Sequence, residues 1–173
     1  MKDVADKCRI AVIQTEPVMF DKDACLSKAI DLIHEAAQNG AELIVFPELF
    51  IPGYPFGMNF GFTMGSRSKD GREDWKRYYD NSILTNGPEI RQLIDIAKGQ
   101  KVYLSMGYSE RDGVNSTLYN SNIMISPDGS FANHRKLKPT GSERVLWGDA
   151  NKDYFPVMNT PWGPMGNLIC WES

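Results

Sequence analysis

The sequence predicts an α/β fold, in which strands and helices alternate along a single domain. Two short apolar segments rich in β-branched residues, 9–14 and 41–46, are separated by a helical pattern over 23–39. This strand, helix, strand order is typical of a right-handed parallel crossover. No repeat or low-complexity segment interrupts the elements that follow. An α/β sheet is therefore the leading architecture.

The first helix is predicted from the spacing of its apolar residues. Leu26, Ile30, Ile33 and Ala37 recur at spacings of four, three and four, and Gly40 follows the end of the pattern. One face of this helix is therefore expected to pack on the sheet.

Two further segments differ sharply in composition. Residues 52–71 are rich in Gly, Pro, Phe and Met, which predicts a long loop over one face of the sheet. Residues 71–83 mix charges of both signs with Trp75, Tyr78 and Tyr79, which predicts a helix docked by an aromatic stripe.

The remaining elements are predicted from turn signals and apolar runs. A turn signal at 126–130 indicates that the strands on either side of it form a hairpin. The predictions are a helix from Pro88 to near Gly99 and strands at 102–106, 118–125, 131–136 and 165–170.

The overall charge and the cysteine content exclude several classes of protein. The 173 residues carry 19 Lys and Arg against 22 Asp and Glu, a net charge of −3 that gives no electrostatic case for nucleic acid. No apolar run approaches the roughly 18 residues of a membrane span, and the opening residues lack the apolar stretch of a secretion signal. We therefore expect a cytoplasmic protein. The three cysteines are odd in number and widely spaced, so neither disulfides nor a structural metal is expected.

Three reactive side chains lie at the ends of three predicted strands: Glu48, Lys136 and Cys170. Reactants of open α/β sheets collect beyond such strand ends. A thiol needs a base that generates the thiolate, and a carboxylate can serve. A nearby ammonium group would stabilise the thiolate and the negative charge that develops when a carbon–heteroatom multiple bond is attacked. Each residue alone has an ordinary structural explanation, and it is their joint placement that predicts chemistry.

Three longer motifs surround these residues. They are PELFIPGYP at 47–55, HRKLKPTGSERVLWGD at 134–149 and LICWE at 168–172. In order and separation they resemble the three signature blocks of the nitrilase branch of the carbon-nitrogen hydrolases. The resemblance extends over nearly all of the chain.

The resemblance implies a four-layer α-β-β-α sandwich, of which this chain would form the N-terminal part, and a Glu-Lys-Cys triad. Glu48 would then be the general base, Lys136 the acid and electrostatic stabiliser, and Cys170 the nucleophile. Lys136, rather than Lys138, matches the catalytic lysine. Glu143 matches a second glutamate that positions the others.

The implied reaction converts a small-molecule nitrile to a carboxylic acid and ammonia through a thioimidate and a thioester, with no metal or organic cofactor. Tyr54 and Trp171 match pocket-lining positions, although both could equally be core aromatics. The resemblance also implies homo-oligomers, with no membrane or nucleic-acid partner. Which nitrile is bound is not predicted.

A nitrilase continues beyond the position that matches Ser173. We therefore expect 1–173 to be a single, incomplete carbon-nitrogen hydrolase domain, truncated just after Cys170. The isolated chain should be weakly active or inactive unless another chain supplies the missing half. The alternatives are a non-catalytic remnant that acts by association, and an amidase or cyanide hydratase of the same superfamily. A Cys-His pair using His134 or His34 is a further alternative.

Overall fold

The computed structural model describes residues 4–151 and 154–173. The regular elements in these residues are β1 (Ile10–Val12), α1 (Lys22–Gln38), β2 (Leu43–Val45), β3 (Phe62–Thr63), β4 (Ser66–Arg67), α2 (Lys69–Asp80), α3 (Pro88–Gln100), β5 (Tyr103–Arg111), β6 (Leu118–Ile125), β7 (Phe131–Arg135), β8 (Val157–Thr160) and β9 (Gly163–Gly166), with 3₁₀ helices at Gly141–Val145 and Cys170–Glu172.

Five of these strands form the main sheet, in the order β1-β2-β5-β6-β7. β1, β2 and β5 pair in parallel, whereas β5, β6 and β7 pair antiparallel. The predicted α/β fold, the parallel pairing of the first two strands and the β6–β7 hairpin are confirmed. As a result β2, β5 and β7 run in the same direction, and their carboxyl ends lie at the same edge of the sheet.

The main core lies between the sheet and two helices. α1 contributes Ala29 and Ile33, α3 contributes Leu93, and β5 contributes Leu104, all of which are fully buried. Complete burial of a leucine or isoleucine side chain stabilises the fold by about 1.5–3 kcal/mol. Asp21 fixes the start of α1, because its carboxylate accepts the Ala24 N–H at 2.9 Å. The burial of one face of α1 confirms the amphipathic pattern predicted for the first helix.

A second cluster is built around Tyr78 of α2. Its ring makes edge contacts with Phe20, Phe60 and Trp147, and its hydroxyl donates a hydrogen bond to the Gly53 carbonyl at 2.9 Å. The predicted aromatic docking of this helix is confirmed, although the helix begins and ends two to three residues earlier than the sequence indicated.

Two predicted segments differ in the structure. The predicted loop 52–71 contains a short hairpin, β3 and β4. The prediction of a sixth strand at 165–170 is wrong, because β9 ends at Gly166 and pairs only with β8 in a separate hairpin. Gly163, with φ +105°, makes the tight turn between β8 and β9 possible. Cys170 therefore begins a 3₁₀ helix and does not end a strand.

Within the two described stretches of chain, no helix is both long enough and apolar enough to cross a bilayer.

Candidate active site

The backbone around Glu48 lies directly against β5. Residues 46 to 51 continue beside that strand: the Phe46 N–H donates to the Ser105 carbonyl at 2.8 Å, and Ile51 pairs with Tyr108. Between these two contacts the chain passes over Gly107. A Cβ atom at position 107 would lie 2.2 Å from the carbonyl oxygen of residue 47 and 2.8 Å from the Cα of Glu48. The missing side chain therefore lets Glu48 reach across the sheet edge toward β6 and β7.

Lys136 follows the last residue of β7, and its side chain is only 2% exposed. Its Nζ atom lies 2.9 Å from Oε1 of Glu48 and 2.9 Å from Oε2 of Glu143. Burial lowers the pKa of Lys136, but its hydrogen bonds to Glu143 and Glu48 outweigh burial and raise the pKa well above its ordinary value. The ammonium group therefore stays charged at neutral pH.

Glu143 uses both carboxylate oxygens. Its Oε2 accepts the Thr140 N–H at 2.7 Å as well as the Lys136 ammonium, and its Oε1 accepts the Tyr54 hydroxyl at 2.8 Å. Burial opposes ionisation, yet the bonds from Lys136, Thr140 and Tyr54 lower the pKa of Glu143. Burial and the hydrogen bond to Glu143 raise the pKa of Tyr54 to about 12. A carboxylate that is occupied at both oxygens is suited to hold its neighbours in place.

Glu48 is bonded differently. Its Oε1 accepts both the Lys136 ammonium and the Asn120 side-chain N–H, the latter at 2.6 Å. Its Oε2 has no hydrogen-bond partner among the described residues, and its side chain is 27% exposed. One oxygen is thus anchored while the other remains available to accept a proton. We call Glu48, Lys136 and Glu143 together the acid–amine cluster.

Cys170 lines the same cavity as Glu48 and Asn120, a cleft of about 380 Å³. The cysteine is exposed and has φ +60°, a left-handed conformation that is unusual for a residue other than glycine. Such conformations cost about 1–3 kcal/mol and are concentrated at functional sites. We call residues 169–172 the cysteine turn.

The aromatic residues predicted to line the pocket occupy different environments. Tyr54 reaches the acid–amine cluster through Glu143 and lies 6.1 Å from Trp147, measured between ring centroids. Trp171 is 86% exposed, so in this chain it is not a core aromatic. Its proposed part in lining a substrate pocket stays a prediction.

The two histidines of the alternative Cys-His pair also have defined places. His134 is fully buried, its Nε2 lies 2.7 Å from Oε2 of Glu172, and its ring stacks on Phe155 at 5.2 Å. His34 lies within α1. The ring nitrogen of His134 with a described partner is therefore bonded to a carboxylate and not to the thiol.

Two residues of this region were not predicted from the sequence. Asn120 lies in β6 beside Ser121 and Asn122, and three consecutive polar residues in a largely buried strand are a sequence signal of a polar site. Glu172 belongs to a recognised motif but was given no role. Its carboxylate accepts the Leu137 and Ile169 backbone N–H groups, each at 2.7 Å.

Comparison with known proteins gives a family for this arrangement. A family model described as carbon-nitrogen hydrolase matches residues 9–173. The chain belongs to the carbon-nitrogen hydrolase family. The family predicted from the three sequence motifs is therefore confirmed.

Several similar curated proteins are nitrilases. The chain is 45% identical to an aliphatic nitrilase of Sinorhizobium fredii (strain HH103) and 43% identical to Nitrilase 1 of Arabidopsis thaliana. It is 44% identical to the bifunctional nitrilase/nitrile hydratase NIT4A of Lupinus angustifolius. These matches cover 95–98% of this chain and 47–54% of each relative. The chain thus spans about half the length of the curated relatives it matches.

Solved structures share the fold at lower sequence identity. Nit3 of Saccharomyces cerevisiae, a member of branch 10 of the nitrilase superfamily, matches 96% of this chain and 56% of its own, with a TM-score of 0.72 and 22% identity. An amidase from Nesterenkonia sp. matches 97% of this chain and 58% of its own, with a TM-score of 0.69 and 19% identity. The α/β architecture is therefore that of the carbon-nitrogen hydrolases.

Proposed function

We propose that this chain carries the catalytic groups of a nitrilase, which converts a small-molecule nitrile to a carboxylic acid and ammonia. The observation that carries this proposal is the asymmetric bonding of Glu48. Lys136 and Asn120 anchor Oε1, while Oε2 is without a partner among the described residues, in a residue that shares a cavity with Cys170. A carboxylate anchored in this way can accept the thiol proton without losing its position.

In the first half-reaction, the proton of the Cys170 thiol passes to Oε2 of Glu48, and the thiolate attacks the nitrile carbon. The new S–C bond converts the C≡N triple bond to a C=N double bond, and the nitrogen takes the proton from Glu48 to give a thioimidate. Lys136 remains protonated throughout, since its pKa is raised. Its role is thus to stabilise the negative charge that develops on the nitrogen.

In the second half-reaction, Glu48 takes a proton from water as the water oxygen adds to the thioimidate carbon, and passes this proton to the nitrogen. The hydroxyl proton of the resulting tetrahedral intermediate then passes through Glu48 to the same nitrogen, the C–N bond breaks, and ammonia leaves as the thioester carbonyl forms. A second water then attacks the thioester and releases the acid and the Cys170 thiol. One nitrile and two waters are consumed for each acid and ammonia formed. Glu143 acts as a positioning residue, because its two oxygens hold Lys136 and Tyr54.

Similarity to nitrilases favours this activity over the alternatives within the superfamily. The relatives at 43–45% identity are described as nitrilases or as bifunctional nitrilase/nitrile hydratases. The amidase neighbour shares 19% identity and argues for the fold alone. A non-catalytic remnant is not better supported, since Glu48 and the exposed Cys170 line one cavity.

Several predictions about the whole protein remain part of this proposal. They are the single incomplete domain over 1–173, truncation after Cys170, a cytoplasmic location, assembly into homo-oligomers and complementation by a chain that supplies the rest of the fold.

The proposal is tested by ammonia release from a panel of nitriles and amides, using the complete protein that contains this chain. Cys170→Ala should lower turnover by about 10⁴-fold or more, because the nucleophile is removed. Cys8→Ala is the matched control and should retain the wild-type rate. The isolated 173-residue chain should be weakly active or inactive.

Turnover of amides but not of nitriles would mean that the protein is an amidase and not a nitrilase. Accumulation of the amide would indicate a hydratase. Nitrile hydrolysis that survives Cys170→Ala would overturn the mechanism.

A further inference from the structure

We propose that Glu172 is a positioning residue that fixes the cysteine turn relative to Lys136. This inference deepens the proposed function and rests on it. Glu172 touches neither the thiol nor the ammonium in the described contacts, so it acts through the peptides beside them.

The Glu172 carboxylate collects three donors from two parts of the chain. Its Oε1 accepts the Leu137 N–H at 2.7 Å. Its Oε2 accepts the Ile169 N–H at 2.7 Å and lies 2.7 Å from His134 Nε2. With only a tenth of its side chain exposed, Glu172 is bonded from β7, from the residue after Lys136 and from within its own turn.

The two backbone donors are direct sequence neighbours of the reactive residues. Leu137 directly follows Lys136, and Ile169 directly precedes Cys170. One carboxylate therefore joins the peptide beside the amine to the peptide beside the thiol. The bond to Ile169 is local to the 3₁₀ helix, but the bonds to Leu137 and His134 span 35 and 38 residues and reach across to β7 and the segment that follows it. Of the three bonds to Glu172, only the two long-range ones can fix the distance between Lys136 and Cys170.

The negative charge on Glu172 strengthens its hydrogen bonds to these donors. Burial opposes ionisation, but the Leu137 and Ile169 N–H groups and His134 lower the pKa of Glu172, so it is a carboxylate at neutral pH. Hydrogen bonds to an ionised acceptor are stronger than those between neutral groups. Fully buried His134 has no described partner for Nδ1, so its described hydrogen bond goes to Glu172 alone.

The test compares Glu172→Gln with the wild type in the complete protein, with Glu35→Gln on the exposed face of α1 as the matched control. Glutamine has one acceptor oxygen where Glu172 has two oxygens for three donors, and it presents an NH₂ group in place of the other oxygen, so at least one bond must break. We expect kcat to fall about 100-fold while KM changes less than threefold.

A second variant separates this role from the Cys-His alternative. His134→Ala leaves both backbone bonds to Glu172 in place, so we expect a loss of only about tenfold in kcat. If His134 were the catalytic base, the loss would exceed that of Glu172→Gln.

Alkylation of the cysteines by iodoacetamide, read by mass spectrometry, serves as the folding check. Cys25 is fully buried and stays protected in any variant that keeps its fold. In folded Glu172→Gln, alkylation of Cys170 at pH 7 should slow at least threefold.

Wild-type kcat in Glu172→Gln would overturn the inference, and so would a loss of kcat that only follows the loss of Cys25 protection. If the wild type released no ammonia, the proposed function would fail. The alkylation rates would then still decide whether Glu172 holds the turn.

Discussion

The acid–amine cluster and the cysteine turn are held in opposite ways. Lys136 is almost completely buried and is bonded to two carboxylates that come from separate parts of the chain. In the cysteine turn both Cys170 and Trp171 are exposed, and Glu172 provides the described side-chain bonds that reach beyond the turn. Buried charges must be satisfied on every side, whereas a neutral thiol can remain at the surface. The charged groups are thus placed by many contacts, and the nucleophile by few.

Removal of the buried Lys136 charge should have the largest effect, on both nitrile turnover and the free energy of unfolding. Lys136→Met leaves the Glu48 and Glu143 carboxylates facing each other without a cation, and we expect it to abolish nitrile turnover. We also expect it to lower the free energy of unfolding by about 3 kcal/mol, because breaking a buried ion pair leaves uncompensated charge. Urea denaturation followed by circular dichroism measures the change.

Lys138→Met is the matched control, since Lys138 forms a largely exposed ion pair with Asp149. Its loss should cost less than about 1 kcal/mol. Equal effects of the two substitutions would mean that the acid–amine cluster is not the anchored region described above.

A smaller effect is expected from the residue that orients the base. Asn120→Leu removes the hydrogen bond to Oε1 of Glu48 but leaves the bond from Lys136, so kcat should fall about 10- to 100-fold. Stability should change little, because the substitution also removes the Asn120 Oδ1 atom, which is buried and has no partner among the described residues. Steady-state kinetics and urea denaturation of the same preparation measure both quantities.

Asn115→Ala, in an exposed turn, provides the comparison and should leave turnover unchanged. A large loss of stability without loss of kcat in Asn120→Leu would assign Asn120 to the fold and not to the site.

Acid pH should produce the smallest effect. The pKa values of Glu143 and Glu172 are lowered in the folded state, so folding holds both groups in their ionised form. Their contribution to stability is fully present above the unfolded pKa, near 4.5, and is lost as the pH falls through the lower folded values. The free energy of unfolding should therefore decrease from pH 6 to pH 3.

Glu143→Gln and Glu172→Gln should each reduce the slope of that decrease, because glutamine does not titrate. An unchanged slope in either variant would show that the corresponding carboxylate is not held in its ionised form by folding.

The part of this molecule that the sequence predicts well is the part governed by local pattern. β-Branched runs and helical spacing predicted the sheet strands and α1, and placement at strand ends put Glu48 and Lys136 at the same sheet edge. The long side chains then meet because β2 and β7 run in the same direction. Neither the 2.9 Å contact nor the use of both Glu143 oxygens could be derived from spacing alone.

The cysteine turn was predicted less well. An apolar run over 165–170 reads as one strand, but β9 ends at Gly166 once β8 supplies its partner. β8 lies in a segment where apolar and polar residues alternate only weakly. The end of β9 is set by its pairing with β8, so it could not be predicted from the local pattern. Asn120 and Glu172 were missed for a related reason, because a hydrogen bond between residues 35 or 72 positions apart leaves no periodic trace.

Gly107 has a consequence that extends beyond its own strand. The acid and the amine are 88 positions apart in the sequence, and the acid reaches the amine because nothing projects from β5 where the backbone crosses it. Any reaction that needs Glu48 beside Lys136 therefore depends on the absence of a Cβ atom at position 107. Tolerance to mutation at position 107 is governed by steric room alone, and even a methyl group is too large, although no functional group is gained or lost.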